Sequence, residues 1–302
     1  MYQAYDRVVT ADRSQLLTTR EMAQFAASGM LAFEAIVPEA LNEAALVELR
    51  EWGATPFHRP TPASLSPLSQ CYVSSAAIGA VLRLPAVVGV IESLVGRDPL
   101  FDHDFVHLRR PHDPIDQRLH ADAIIDPTTA FDIQLFYFPH AVGPGEGGTR
   151  YVPGTHLRRV NEADIARYQN VRGQRDFCGP AGTILVFHHG LWHSGRANPS
   201  DRDRVMYKIR LNPTVVQTRL WNTDDLEAVQ SGPDDHIFAR FDTTKVAHVL
   251  RAPEPWWEQA SGRLEQRNRA LLWRYLSGDG AFDVDYYLTR TANRSRLAGG
   301  FP

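Results

Sequence analysis

His120-Ala121-Asp122 sets an imidazole and a carboxylate two residues apart. In an extended strand residues i and i+2 emerge on one face, so the pair could fill two adjacent corners of an octahedral metal site. A third ligand, a His from a distant strand, would complete a two-His, one-carboxylate facial triad. That arrangement leaves three positions open and suits Fe(II) that must take a chelating cosubstrate and O2 together. A lone H-x-D occurs by chance in many chains, so the weight falls on its companions. His188, His189 and His193 all follow the apolar run Gly182-Thr183-Ile184-Leu185-Val186-Phe187, and spacing does not choose among them. Eleven residues beyond His193, Arg204 opens a segment in which Val205, Tyr207, Ile209 and Leu211 alternate with Met206, Lys208 and Arg210. A guanidinium there could clamp a carboxylate through two parallel hydrogen bonds. The plain alternative is a solvated Arg at a strand end. Arg204 lies on the opposite parity from the apolar residues, which is no objection if both faces of the sheet are covered.

The other histidines read as ordinary: His58, His140, His236 and His248 lie near turns or in polar surroundings. No HExxH helix or nucleophile elbow supports a zinc or serine hydrolase.

The elements that must position these residues are mostly strands. Segments 100–109, 131–138, 149–152, 183–188 and 204–212 are short, rich in β-branched and aromatic residues, and bounded by turn formers. The stretch Gly143-Pro144-Gly145-Glu146-Gly147-Gly148 predicts a turn between two of them. Several strands with few helices between them indicate an antiparallel sandwich or barrel. Helices flank this core. Thr18-Thr19-Arg20-Glu21 is a capping box. Pro38 starts a helix with Leu41, Ala45, Leu49 and Trp52 on one stripe. A further helical stretch covers about 75–95, interrupted near Pro85, and residues 53–69 read as a Pro-rich loop. After Pro213, Trp257, Ala260, Leu264, Asn268, Leu271, Leu272 and Tyr275 sit at helical spacing and predict a helix packed back on the core. The reading is one elaborated domain over 1–302: a mostly helical part over 15–99, a barrel core over 100–213 and a helical extension over 214–302. The extension's aromatics, among them Trp221, Trp256, Trp273, Tyr286 and Tyr287, are expected to pack rather than bind.

Composition narrows the class. The chain has 302 residues, 43% hydrophobic and 22% charged, with net charge −3, so it can bury a sizeable core without disulfides. No basic block points to nucleic acid or an anionic membrane. Cys71 and Cys178 form no metal-spacing motif and fit a reducing compartment. The opening residues lack the apolar stretch of a signal peptide, and no apolar run is long enough to span a bilayer. A cytoplasmic protein acting on a small molecule is the expectation; oligomeric state is not legible.

Three blocks, taken in order, resemble the phytanoyl-CoA dioxygenase family of Fe(II)- and 2-oxoglutarate-dependent oxygenases. They are His120-Ala121-Asp122, then Gly147-Gly148-Thr149-Arg150-Tyr151-Val152-Pro153-Gly154-Thr155-His156, then His193-Ser194-Gly195 with Asn198-Pro199-Ser200-Asp201-Arg202-Asp203-Arg204. The resemblance covers about 15–213. It implies a double-stranded β-helix, a jelly-roll or cupin-like barrel, with iron on His120, Asp122 and His193. It makes Arg204 the partner of the far carboxylate of 2-oxoglutarate, and Gln117 and Thr149 further cosubstrate contacts. His188 and His189 then take supporting or packing roles, and His156 a structural one.

The implied reaction couples O2 and 2-oxoglutarate, released as succinate and CO2, to hydroxylation of an unactivated C–H bond in a small organic molecule. A secondary metabolite, an amino acid or an acyl derivative would fit. Desaturation, epoxidation or ring formation on the same cofactors is the alternative. Relatives that halogenate carry a small residue at the carboxylate position, so Asp122 disfavours that outcome. From another class, a non-catalytic metal- or ligand-binding barrel is the alternative, but it would not need all four of His120, Asp122, His193 and Arg204. Ala121 departs from the family's frequent polar residue, and 214–302 has no counterpart in the motif pattern. With Lys confined to Lys208 and Lys245, an anionic substrate would have to rely on Arg; Arg59, Arg83, Arg109 and Arg110 are available.

Overall fold

A computed structural model describes residues 10–55, 62–72, 76–122, 128–158, 160, 162–167, 169–230, 242–257 and 261–284. The expectations placed on His58, Arg59, His236, Ala260, Tyr286, Tyr287 and the first nine residues lie outside these. Chain order is α1 (Thr19–Ser28), β1 (Met30–Phe33), α2 (Glu39–Ala54), α3 (Ala76–Leu82), α4 (Pro85–Val95), β2 (Leu100–Arg109), β3 (Ile133–Phe138), β4 (Thr149–Tyr151) and α5 (Glu162–Ile165). It continues with β5 (Arg175–Asp176), β6 (Thr183–His188), β7 (His193–Gly195), β8 (Arg204–Asn212), α6 (Leu226–Gln230), α7 (Val246–Arg251) and α8 (Ser261–Ser277). The capping box on α1 is complete: Thr18 accepts from the Glu21 amide, and the Glu21 carboxylate accepts from that of Thr18.

The strands form two antiparallel sheets, ordered β1-β6-β3-β8-β2 and β5-β4-β7, the mainly β, helix-flanked jelly-roll architecture. No hydrogen-bonded ring closes among the described strands. Both faces of the larger sheet are covered. Ile133, Leu135, Tyr137, Ile184, Val186, Val205, Tyr207 and Ile209 join the helices α1 to α4 in one core. Phe136, Phe138, Leu185, Phe187 and Met206 form a second core on the inner face. Every residue of β3 and β6 is therefore buried, and apart from Gln134, Thr183 and His188 their sequences are apolar on both faces rather than alternating. β1 was not legible, because Met30–Phe33 is four residues with no turn signal of its own. It pairs with β6 at the sheet edge.

No single described helix is long and apolar enough to cross a membrane. The pair α3 and α4, bent by 59°, reaches that length and composition only together, and Ile78, Val81, Val87, Ile91 and Leu94 are buried in the core.

The tail helix packs on the core through a face rotated from the predicted stripe. Leu264 is 53% exposed, while Glu265, Arg269, Ala270, Leu272, Trp273 and Leu276 are buried. Two buried charges hid that face from an apolar pattern. Arg269 donates to the carbonyls of Leu250 and Ala252 and lies over the Trp257 ring. Glu265 pairs with Arg158 at 2.9 Å. Trp273 packs on Trp221 and Phe282 and donates to Gln230. Trp273→Ala is expected to lower unfolding free energy by about 3–5 kcal/mol, measurable by urea denaturation with the inner-face site left intact.

Candidate metal centre

His120 and His193 face each other across an isolated antiparallel bridge, each amide donating to the other's carbonyl at 3.0 and 2.8 Å. Directly opposed residues put their side chains on one face, and the two ring centroids stand 4.5 Å apart. The H-x-D segment is thus held by a single bridge to β7 and not by a regular strand. Asp122, two residues on, returns to the same face: its Oδ1 is 3.4 Å from His120 Nε2 and its Oδ2 3.6 Å from His193 Nε2. One ligand atom from each of the three falls within 4.8 Å of the others. Ala121 points the opposite way, into a small apolar cluster with Leu119, Val152, Ile165 and Trp192, where a polar side chain would be desolvated.

The ring tautomers are set by the backbone. His120 Nδ1 lies 2.9 Å from the Arg118 carbonyl and His193 Nδ1 2.9 Å from that of Leu191. A carbonyl only accepts, so each Nδ1 carries a proton and each Nε2 is turned towards Asp122. Outer partners of this type orient metal-binding histidines. Burial pushes the His193 imidazole down to about 4, although Asp122 opposes this, so its Nε2 lone pair is free at neutral pH. At Asp122 burial acts to raise the pKa, but His120, His193 and Lys208 together hold the carboxyl well below its ordinary range. Burial likewise acts to lower the pKa of His120, and the hydrogen bonds to Asp122 and the Arg118 carbonyl more than offset it. Two imidazoles and one carboxylate on one face fit a divalent first-row ion.

Arg204 opens β8 on the inner face with Met206 and Lys208, and all three line one cavity of about 90 Å³ with His107, Arg109, Gln117, His120, Asp122, Phe136, Thr149, His193 and Gly195. Arg204 is 2% exposed. Nε donates to the Gly147 carbonyl at 2.6 Å and Nη1 to that of His107 at 3.3 Å. Gly147 makes this approach at φ +72°, a conformation that side chains rarely adopt, and a Cβ there would stand 3.0 Å from that of Asn198. Among the described residues Arg204 forms no ion pair. Burial lowers it to about 10, which leaves it a cation at neutral pH. A buried cation without an anion is costly unless a ligand supplies one.

Gln117 and Thr149 both reach this cavity. Gln117 Oε1 accepts from the Gly195 amide at 3.0 Å and its amide nitrogen is 3.4 Å from His120 Nε2. Thr149 is 2% exposed, and its hydroxyl points to the Met206 sulfur at 3.7 Å. Neither His188 nor His189 joins the metal-capable group. His188 packs between Phe131, Phe25 and His156, and His189 contacts Gln134. His156 bonds the Ala26 carbonyl at 3.2 Å, and His140 accepts from the Val205 amide at 2.8 Å. Of the arginines, Arg109 lines the cavity and pairs with Asp113. Arg83 caps the Gly79 carbonyl, and Arg110 pairs with Asp203. Sequence reasoning missed His107, Gln134, Phe136, Met206 and Lys208. Met206 and Lys208 could have been found, since they follow Arg204 at i+2 and i+4 on one strand face. A larger cavity of about 500 Å³ lies against α8, but among the described residues no metal-capable cluster lines it, so chemistry and not volume selects the site.

The family described as Phytanoyl-CoA dioxygenase (PhyH) matches residues 71–206. Among solved structures, HygX from Streptomyces hygroscopicus with nickel and 2-oxoglutarate bound superposes with a TM-score of 0.52 at 17% identity, over 73% of this chain and 97% of that one. EctD from S. alaskensis with bound Fe gives 0.52 at 16% identity over 69% and 82%. EctD with 2-oxoglutarate and 5-hydroxyectoine gives 0.52 at 16% over 69% and 81%. At these identities the likeness is one of fold. No curated protein matches the chain in sequence.

Proposed function

We propose that the protein, whose residues 71–206 match the Phytanoyl-CoA dioxygenase (PhyH) family, is an Fe(II)- and 2-oxoglutarate-dependent oxygenase that hydroxylates an unactivated C–H bond of a small organic molecule. The observation that carries this is the shared cavity: a His120, Asp122 and His193 face at one place and the unpaired, buried Arg204 cation at another. A metal-binding module would need the first and not the second. The solved relatives with this fold hold iron or nickel and 2-oxoglutarate, which supports the same assignment here.

In this reading His120, Asp122 and His193 hold the metal, and Arg204 takes the far carboxylate of 2-oxoglutarate through Nη2, which makes no hydrogen bond among the described residues. Gln117 and Thr149 flank the cosubstrate. Bound there, Fe(II) would supply the O2 chemistry that couples loss of CO2 from 2-oxoglutarate to oxidation of a C–H bond, with succinate as coproduct. The protein's part is geometry and dryness. Fixed Nδ1 bonds aim both ligand rings, Phe136 and Met206 keep the wall apolar, and the cavity leaves little room for water beyond the reactants. His107, pushed down to about 3 mainly by burial and then by Arg204, stays neutral and adds no charge against the metal. Residues 1–302 act as one unit.

The test is anaerobic visible spectroscopy. Adding 2-oxoglutarate to the Fe(II)-loaded protein is expected to produce a broad metal-to-ligand charge-transfer band, and admitting O2 should yield succinate even without substrate. Asp122→Ala is expected to abolish both. Iron bound to the wild-type protein with no band on adding 2-oxoglutarate would reject the oxygenase reading.

A further inference from the structure

Lys208 is one of two lysines in the chain, and it lies inside the barrel, 9% exposed. Its ammonium donates to Asp122 Oδ2 at 2.6 Å. Gln134, fully buried on β3, donates to the same oxygen through Nε2 at 2.5 Å. The second proton of that amide faces His189 Nδ1 at 3.3 Å. Flipping the Gln134 amide would set its oxygen against a carboxylate, so the donor orientation is fixed by its surroundings. A carboxylate oxygen offers about two lone pairs. Two donors therefore fill Oδ2, and Oδ1, 3.4 Å from His120 Nε2, is the oxygen left for a metal.

We propose that Lys208 and Gln134 are positioning residues that clamp Oδ2 of Asp122 and so present only Oδ1 to the metal. The proposal rests on the metal-site reading above. Its consequence is a count of open positions. One oxygen from Asp122 and two histidines leave three places on an octahedral ion, enough for a chelating 2-oxo acid and one more ligand; both oxygens of Asp122 would leave two. The clamp also explains an otherwise costly choice, a lysine beside a dication site. On charge alone Lys208 repels the metal, so its removal should tighten metal binding. If it acts by orienting Asp122, removal should loosen it. The sign separates the two roles.

The experiment is calorimetric titration of the metal-free protein with Ni(II), which does not react with O2, using wild type, Lys208→Met, Lys208→Arg and Gln134→Leu. Lys208→Met and Gln134→Leu are expected to bind about ten- to a hundredfold more weakly, the range for losing an outer partner of a metal ligand. Lys208→Arg, which keeps a charged donor, is expected to stay within about threefold of wild type. Thermal melting of the metal-free proteins checks folding, and if Lys208→Met does not fold, the uncharged change Gln134→Leu decides. In Ni(II)-loaded crystals, Asp122 should contact the metal through one oxygen in the wild type and through both in Gln134→Leu. Folded Lys208→Met and Gln134→Leu proteins that bind Ni(II) as tightly as wild type, or more tightly, would overturn the clamp while leaving the metal site standing. A wild-type protein that binds no Ni(II) would instead overturn the metal site itself, and the clamp with it.

Discussion

His193→Ala is expected to lose the 2-oxoglutarate charge-transfer band at Fe(II) concentrations that saturate the wild type, whereas His188→Ala is expected to keep it. The two histidines lie five residues apart and both are buried, at 5% and 1% exposure, so burial does not separate them. Geometry does. His193 stands across the bridge from His120 with its Nε2 towards Asp122. His188 uses Nδ1 to accept from the Gly190 amide at 3.0 Å and stacks on Phe131, on the face of the sheet that meets α1. Protein-bound Zn(II) with four ligands is worth about 10–16 kcal/mol, or roughly 3 kcal/mol per ligand. Losing one of three should cost on the order of a hundredfold in affinity. His188→Ala removes packing instead and should lower stability by about 2–4 kcal/mol with metal affinity unchanged. Titrating Fe(II) anaerobically into both variants at saturating 2-oxoglutarate decides between them. A band retained in His193→Ala and lost in His188→Ala would reassign the third ligand.

That choice among histidines marks where the sequence stopped being legible. The barrel strands were readable because β2, β3, β4, β6 and β8 are runs of β-branched and aromatic residues between turn formers, and their bounds agree with the expected segments to within two residues. The paired His120 and Asp122 were readable because period-2 geometry is local. His188, His189 and His193 were not separable from the residues alone. Their difference is which partner strand each meets, and that is a long-range fact set by the β4 pairing of Tyr151 with His193. Resemblance supplied the choice that spacing could not. The parity of Arg204 was puzzling for a related reason. On an exposed sheet the polar side of β8 would face water, whereas here Val205, Tyr207 and Ile209 face helices and Arg204, Met206 and Lys208 face the cavity. Lys208 and Gln134 escaped notice because nothing local distinguishes a polar residue that clamps a ligand from one that is solvated. Only burial and the 2.6 and 2.5 Å contacts to Asp122 do so. The tail failed differently: Glu265 and Arg269 occupy the buried face of α8, and a search for apolar periodicity passes over a face built on charge.

Arg204→Ala should raise the 2-oxoglutarate concentration needed for the band by about thirty- to three-thousandfold, the equivalent of roughly 2–5 kcal/mol for truncating one partner of a buried, hydrogen-bonded charge pair. The loss alone would not identify the contact. Arg204 also ties the Gly147 turn to His107 on β2, so its truncation could disturb the cavity from a distance. A second cosubstrate removes that ambiguity. 2-Oxopentanoate keeps the chelating 2-oxo acid end and lacks the far carboxylate, so the wild type should bind it far more weakly than 2-oxoglutarate. If Arg204 meets the far carboxylate, Arg204→Ala should bind the two acids about equally, because the difference between them is the interaction that was removed. A general disturbance of the cavity would weaken both and preserve their ratio. This is a double-mutant cycle with one change made in the ligand, and its coupling energy reads the contact rather than the scaffold. Arg204→Lys should recover part of the preference and not all, since an ammonium keeps the charge but not the two-pronged geometry of a guanidinium. An Arg204→Ala protein that still favours 2-oxoglutarate by the wild-type factor would place the anchor elsewhere, and Arg109, the other guanidinium on this cavity, would be the residue to change next.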